Sequence, residues 1–157
     1  MLKLIIGVKG TGKTKALINL VNTASDNSKG DVVCIEKGVK LRYDIKSSVR
    51  LIDTEEYFVA DTDALYGFIA GIFASNHDIT DLFVDSALKI CNNKSDEFDG
   101  FVELVAKLSE KLGVNIVMTS SIPVEEASAV VNKYIWLNYI KKSIAKSDAL
   151  FYVQYKN

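Results

Sequence analysis

The stretch LIIGVKGTGKTKALINL, Leu4–Leu20, decides how the rest of the chain is read. A short apolar run enters a glycine-rich turn, and the turn closes on Lys-Thr and passes into a helical pattern. Gly7-Val8-Lys9-Gly10-Thr11-Gly12-Lys13-Thr14 fits the pattern G-x-x-x-x-G-K-[ST] with no mismatch. Each position has a physical task. The glycines permit backbone angles that a side chain would block. Successive N–H groups can then converge as an anion nest, reinforced by the positive end of the helix that begins near Lys13. Lys13 is placed to reach the β- and γ-phosphates, and the Thr14 hydroxyl to ligate Mg²⁺. The context fits as well, with a strand-like run before the turn and Ala16, Leu17, Leu20 and Val21 on one helical face after it.

Outward from that turn, strand and helix patterns alternate. Val32–Ile35, Ser48–Asp53, Asp81–Asp85 and Val114–Ser121 read as strands. Residues 64–73 carry apolar side chains at helical spacing, with Gly67 and Gly71 weakening the pattern unless they permit close packing on a sheet. Phe98, Phe101, Val102, Val105, Leu108 and Leu112 form the clearest helical stripe, with Asp96 and Glu97 suited to its first turn and Gly113 to its C-terminal cap. Two aromatic-rich runs, KYIWLNY and ALFYVQY, are expected to form a C-terminal antiparallel hairpin with a long connection. Alternation of this kind argues for an α/β three-layer αβα sandwich with a mainly parallel sheet. At 157 residues, without repeats or a linker-like segment, residues 1–157 are expected to form a single nucleotide-binding domain.

Composition narrows the partners. A formal charge of −1 gives no strong nucleic-acid signal, and Lys141-Lys142 reads as a solvated helix face. No apolar run approaches the roughly 18 residues of a membrane span, and no leader is expected. Two distant cysteines, Cys34 and Cys91, suggest neither disulfide framework nor metal cluster, so the expected location is cytoplasmic. His77 reads as a loop residue, Cys91 as a bystander in a polar loop, and Trp136 as a packing residue.

The second motif is LFVD, an apolar strand ending in Asp85, whose carboxylate is suited to hold Mg²⁺, usually through water. Asp53, ending RLID, competes for that role. Thr119, Ser120 and Ser121 at the end of VNIVMTSS either sense the γ-phosphate or cap the turn before Pro123, with Ser120 or Ser121 the expected sensor.

Taken together, the P-loop and the run DLFVDSALKI resemble the RecA-like ATPase superfamily of P-loop NTPases, whose Mg²⁺-binding strand ends in Asp-Ser. That resemblance implies further assignments. Glu36, ending VVCIE, would position or deprotonate the attacking water. The polar end of VMTSS and a terminal hairpin ending in Lys156-Asn157 match weaker features of the same superfamily. Arg42, Arg50 or Lys156 would act across a subunit interface in a homo-oligomer, because phosphoryl transfer often draws on a cation worth ~10³–10⁵ in rate. The implied activity is Mg²⁺-dependent ATP binding with slow or partner-stimulated hydrolysis. ATP is chosen over GTP because no N-K-x-D motif occurs; NNKSD (Asn92–Asp96) has the wrong spacing. Two other readings remain open. One is a nucleotide-dependent switch that recruits a protein partner without significant turnover. The other is a small-molecule, nucleoside-type kinase, for which Lys37–Asp44 is the sole lid candidate. Thymidine-kinase-like proteins usually carry Asp-Glu where this chain has Asp85-Ser86, and a cysteine cluster that it lacks.

Overall fold

In a computed structural model the described residues are 1–141 and 151–155, with side chains described through Trp136. The strands are β1 (Leu2–Gly7), β2 (Asp31–Glu36), β3 (Arg50–Asp53), β4 (Ile79–Val84), β5 (Asn115–Ser120), β6 (Ile135–Lys141) and β7 (Phe151–Tyr155). The helices are α1 (Lys13–Asn27), α2 (Thr62–Ser75), α3 (Ala87–Ile90), α4 (Phe98–Leu112) and α5 (Ala129–Tyr134). One sheet runs in the order β3-β2-β4-β5-β1-β6-β7. Every neighbouring pair is parallel except the last.

The apolar runs recognised in the sequence become the central strands because both faces of a parallel sheet must be covered. Period-2 alternation then divides their side chains. Ile5, Val32, Cys34, Phe83 and Val117 face α1, whose Leu17 and Val21 pack on them together with Leu41, Ile45 and Val49 of the segment after β2. Leu4, Ile6, Val33, Ile35, Leu82, Val84, Ile116 and Met118 face the other way, onto α2, α4 and α5. This is the expected three-layer arrangement.

Element limits differ in instructive places. Helix α1 continues through Asn27, across residues whose composition suggests a turn, because Val21 and Leu17 anchor it to the sheet. Helix α4 has the anticipated span, and Gly113 closes it with φ 67°. Gly67 and Gly71 do not owe their place to tight packing, since a Cβ at either would meet nothing within 4 Å. Gly30 does: a Cβ there would lie 2.1 Å from the Asp78 carbonyl oxygen, in the turn where the Asp31 N–H donates to that same oxygen at 2.8 Å.

The C-terminal runs behave differently from an isolated hairpin. Strand β6 adds to the main sheet parallel to β1, and β7 pairs antiparallel with β6 through Leu137↔Tyr155 to Lys141↔Phe151. The connection between them, including Lys142, lies outside the described residues, as do Lys156 and Asn157. Trp136 packs beside the α1-facing cluster, with the Lys3 ammonium 4.4 Å from its ring centroid. Among the described residues no helix is long and apolar enough to cross a membrane.

Candidate nucleotide-binding site

The carboxyl ends of β1, β2, β4 and β5 converge on one edge of the sheet. After β1 the chain turns through Gly7 (φ 147°), Gly10 (φ 83°) and Gly12 (φ 92°). The last two lie in the left-handed region that residues with a Cβ enter only with strain. Gly12 immediately precedes α1, so the turn delivers the first N–H groups of a fifteen-residue helix to the cavity. Thr11 braces the turn by donating its hydroxyl to the Val8 carbonyl at 2.9 Å. Lys13 is buried, and its ammonium folds back to donate to the carbonyls of Gly7 (2.9 Å) and Val8 (2.8 Å). Burial lowers the Lys13 pKa below its ordinary value, and Asp85 opposes that shift.

Strand alternation decides which polar groups join them. Asp85 continues the α1-facing set of β4, following Phe83, and Thr119 does the same on β5, following Val117. Asp85 Oδ1 accepts from the Thr14 hydroxyl at 3.0 Å and from the Thr119 hydroxyl at 2.9 Å. Thr119 in turn accepts the Ser86 backbone N–H at 2.7 Å. Ser86 turns the chain with φ 57°, a costly angle for a residue with a side chain, and its hydroxyl lies 3.2 Å from Asp85 Oδ2. Thr14, Asp85 and Thr119 therefore form one hydrogen-bonded row from the first turn of α1 across the ends of β4 and β5.

Ser120 follows Met118 on the opposite face. It is fully buried, and its hydroxyl has no hydrogen-bond partner. The strand pleat turns it away from the face that carries Asp85, and it is Thr119, one residue earlier, that contacts Asp85. Ser121, just past the strand, does line the cavity. Asp53, the competitor to Asp85, is occupied on β3 as a cap: its Oδ1 accepts the N–H of Gly38 (2.7 Å) and Glu55 (2.9 Å).

Glu36 lies on the α1 face at the end of β2, and it is buried. Its carboxylate is engaged by the loop that follows, accepting the N–H of Lys40 at 3.0 Å and of Leu41 at 3.2 and 3.1 Å. Burial raises its pKa above the ordinary value; the Leu41 and Lys40 N–H bonds pull the other way, and Asp53 and Asp85 add to the rise. Glu36 borders a neighbouring cavity with Arg42 and Asp53 rather than the P-loop cavity. Arg42 and Arg50 are likewise absent from the P-loop cavity wall, and Lys156 falls outside the described residues.

The P-loop cavity has a volume of about 490 Å³ and is walled by Lys9–Thr14, Lys40, Leu41, Asp85, Ser86, Lys89, Asn93 and Ser121. Lys40, Lys89 and Asn93 carry no motif that marks them in the sequence; Lys40 belongs to the basic Lys37–Asp44 segment noted there. The other reactive side chains stand apart. Cys34 and Cys91 are buried free thiols with raised pKa values, dominated by burial. His77 is exposed in the turn before β4.

A parallel sheet with β5 inserted between the P-loop strand and the Asp85 strand, covered by helices on both faces, defines a RecA-like α/β fold. A solved structure with this fold is a KaiC-like protein from the hyperthermophilic archaeon Pyrococcus horikoshii OT3. It aligns with a TM-score of 0.64 and 17% identity, over 99% of this chain and 77% of that one. No protein-family model matches the chain. No curated protein matches its sequence.

Proposed function

We propose that this chain is a Mg²⁺-dependent ATP-binding protein of the RecA-like type, folded as a single nucleotide-binding domain, with slow or partner-stimulated ATP hydrolysis. The observation that carries the reading is the row Thr14–Asp85–Thr119 beside the P-loop: a hydroxyl and a carboxylate 3.0 Å apart at the mouth of an anion nest. Both are hard oxygen donors of the kind Mg²⁺ prefers, and Mg²⁺ bound by one or two protein oxygens takes its remaining ligands from phosphate and water. Among the described residues no group of three or more His, Cys, Asp or Glu side chains could hold a metal alone, which fits an ion that arrives with its nucleotide. Thr14 and Asp85 would hold it, and it would there neutralise the negative charge of the phosphates.

The chain's own groups do the remaining work. Lys13 exchanges two neutral carbonyl acceptors for phosphate oxygens, which gives it the stronger charge-assisted bonds. Thr119 holds Asp85 and the Ser86 N–H in one arrangement, so the Asp85 carboxylate is oriented before ligand arrives. The raised basicity of Glu36 suits a general base, but its oxygens are committed to the Lys40 and Leu41 N–H groups. Water activation by Glu36 requires that loop to open, and this supports slow turnover in the isolated chain. The same observation favours a second reading, a nucleotide-dependent switch in which the loop and a protein partner or a second copy respond to ATP.

The test is ATP binding and hydrolysis with and without Mg²⁺, for wild type, Lys13→Ala and Asp85→Asn. Lys13→Ala should weaken ATP binding by at least about tenfold. Asp85→Asn should abolish most of the affinity that Mg²⁺ adds. Turnover in wild type supports the ATPase; tight binding with no turnover moves the switch ahead. Wild type that binds no nucleotide overturns both.

A further inference from the structure

Four ammonium groups, those of Lys9, Lys13, Lys40 and Lys89, border the P-loop cavity, and Asp85 is the one carboxylate on its wall. Asp85 is already engaged by Thr14 and Thr119. Among the described residues the ion pairs are Lys46–Asp26 and Lys133–Glu103, so none of the four lysines is paired with a carboxylate. In a chain of net charge −1 this is a local concentration of positive charge.

Lys40 and Lys89 are the informative pair. They come from different elements, Lys40 from the loop after β2 and Lys89 from α3, and both are exposed at the cavity. The Lys89 ammonium is held below its ordinary pKa by Lys40 first, with burial, Lys37 and Lys9 adding to the shift. An ammonium only donates hydrogen bonds, so two neighbouring ones with no acceptor between them repel. A multiply charged anion with several acceptor oxygens relieves that repulsion. Their placement also says which part of a nucleotide they would meet. The N-terminus of α1 faces the inner phosphates and Lys13 reaches the β- and γ-phosphates, whereas Lys89 sits one turn beyond Asp85-Ser86, on α3 at the outer part of the cavity wall.

We infer that Lys40 and Lys89 bind the terminal phosphoryl group of the nucleoside triphosphate, from within the same chain that carries the P-loop. This inference rests on the nucleotide-binding reading above. Glu36 is then a positioning residue: it holds the Lys40 and Leu41 N–H groups, and buried Leu41 pins the loop so that Lys40 projects over the cavity. The cation that the RecA-like resemblance would seek in an arginine of a neighbouring subunit is supplied in cis by lysine.

The experiment compares the affinities for ATP and ADP, both with Mg²⁺, in wild type, Lys40→Gln, Lys89→Gln, the double variant, and Lys40→Arg with Lys89→Arg. Because both side chains are exposed, the glutamine variants keep the fold, and circular dichroism checks this. Each glutamine variant should lower ATP affinity by about tenfold while ADP affinity stays within about twofold, and the arginine variants should recover ATP binding. ATP affinity unchanged in the double variant overturns the inference. So does an equal loss of ATP and ADP, which would make the lysines a source of general positive potential. Lys13→Ala distinguishes this failure from that of the underlying reading: if it loses nucleotide while the Lys40 and Lys89 variants behave as wild type, the P-loop site stands and only the cis lysines fall.

Discussion

Replacing Glu36 separates a loop anchor from a catalytic base. Its carboxylate accepts the Lys40 and Leu41 N–H groups, and Leu41 is 2% exposed. Glu36→Ala removes that acceptor. A buried donor left without a partner costs about 1–3 kcal/mol. The Leu41 N–H takes that full penalty, while the Lys40 N–H lies where water can reach it. Removing the carboxylate also relieves its own desolvation, which is why its pKa is raised. The net loss is therefore at most about 1–3 kcal/mol, and at about 2–4 °C per kcal/mol for a chain of this length the unfolding midpoint should drop by roughly 2–12 °C. Glu36→Gln keeps the size and one acceptor oxygen, so it should stay within about 1 kcal/mol of wild type. The pH dependence carries a sign. A folded pKa above the unfolded one means the native state keeps its proton to higher pH, so this group's contribution to stability declines as pH rises from the unfolded value through the raised folded value. Glu36→Gln should remove that slope. The assay is thermal unfolding across this acidic window, with ATP turnover measured on the same samples. Glu36→Ala melting at the wild-type temperature would refute the anchoring argument. Loss of turnover in Glu36→Gln at unchanged stability and ATP affinity would establish a direct part in the chemistry.

The neighbouring hydroxyls should respond in opposite ways. Thr119→Val removes both the donor to Asp85 and the acceptor of the Ser86 N–H, and should cost about 1–3 kcal/mol in chemical denaturation; Ser120→Ala, which deletes a buried hydroxyl without a partner, should be neutral or slightly stabilising. Gly30→Ala places a methyl group 2.1 Å from the Asp78 carbonyl oxygen and should destabilise by more than about 3 kcal/mol, read in the same titration; a midpoint near wild type would mean that the adjacent turns before β2 and β4 yield easily.

Much of this protein is legible along the chain. The P-loop is a local device: its glycines, Lys13 and Thr14 act through backbone angles and a helix start that a few consecutive residues specify. The strands and the α4 helix follow from apolar periodicity, and Gly113 marks a helix end because φ 67° suits a residue without Cβ. What periodicity does not encode is which strand lies beside which, since strand order depends on contacts between residues far apart in sequence. The insertion of β5 between β1 and β4 is what brings Thr119 to Asp85, 34 residues away, and the same pleat turns Ser120 to the far side of the sheet. A hydroxyl run such as Thr119-Ser120-Ser121 looks uniform as letters, and the two-residue period of the strand sorts it. Asp85 and Asp53 also look alike as strand ends. Tertiary placement makes one the neighbour of Thr14 and the other a cap on the following turn. Lys40 and Lys89 are surface lysines by sequence, and only the folding of two distant segments over one cavity gathers their charges. The sequence by itself determined the glycine-rich turn and the layered class, because these arise from local stereochemistry and burial. Tertiary structure alone decided the company that turn keeps, because those contacts are made across strand ends that the sheet order brings together.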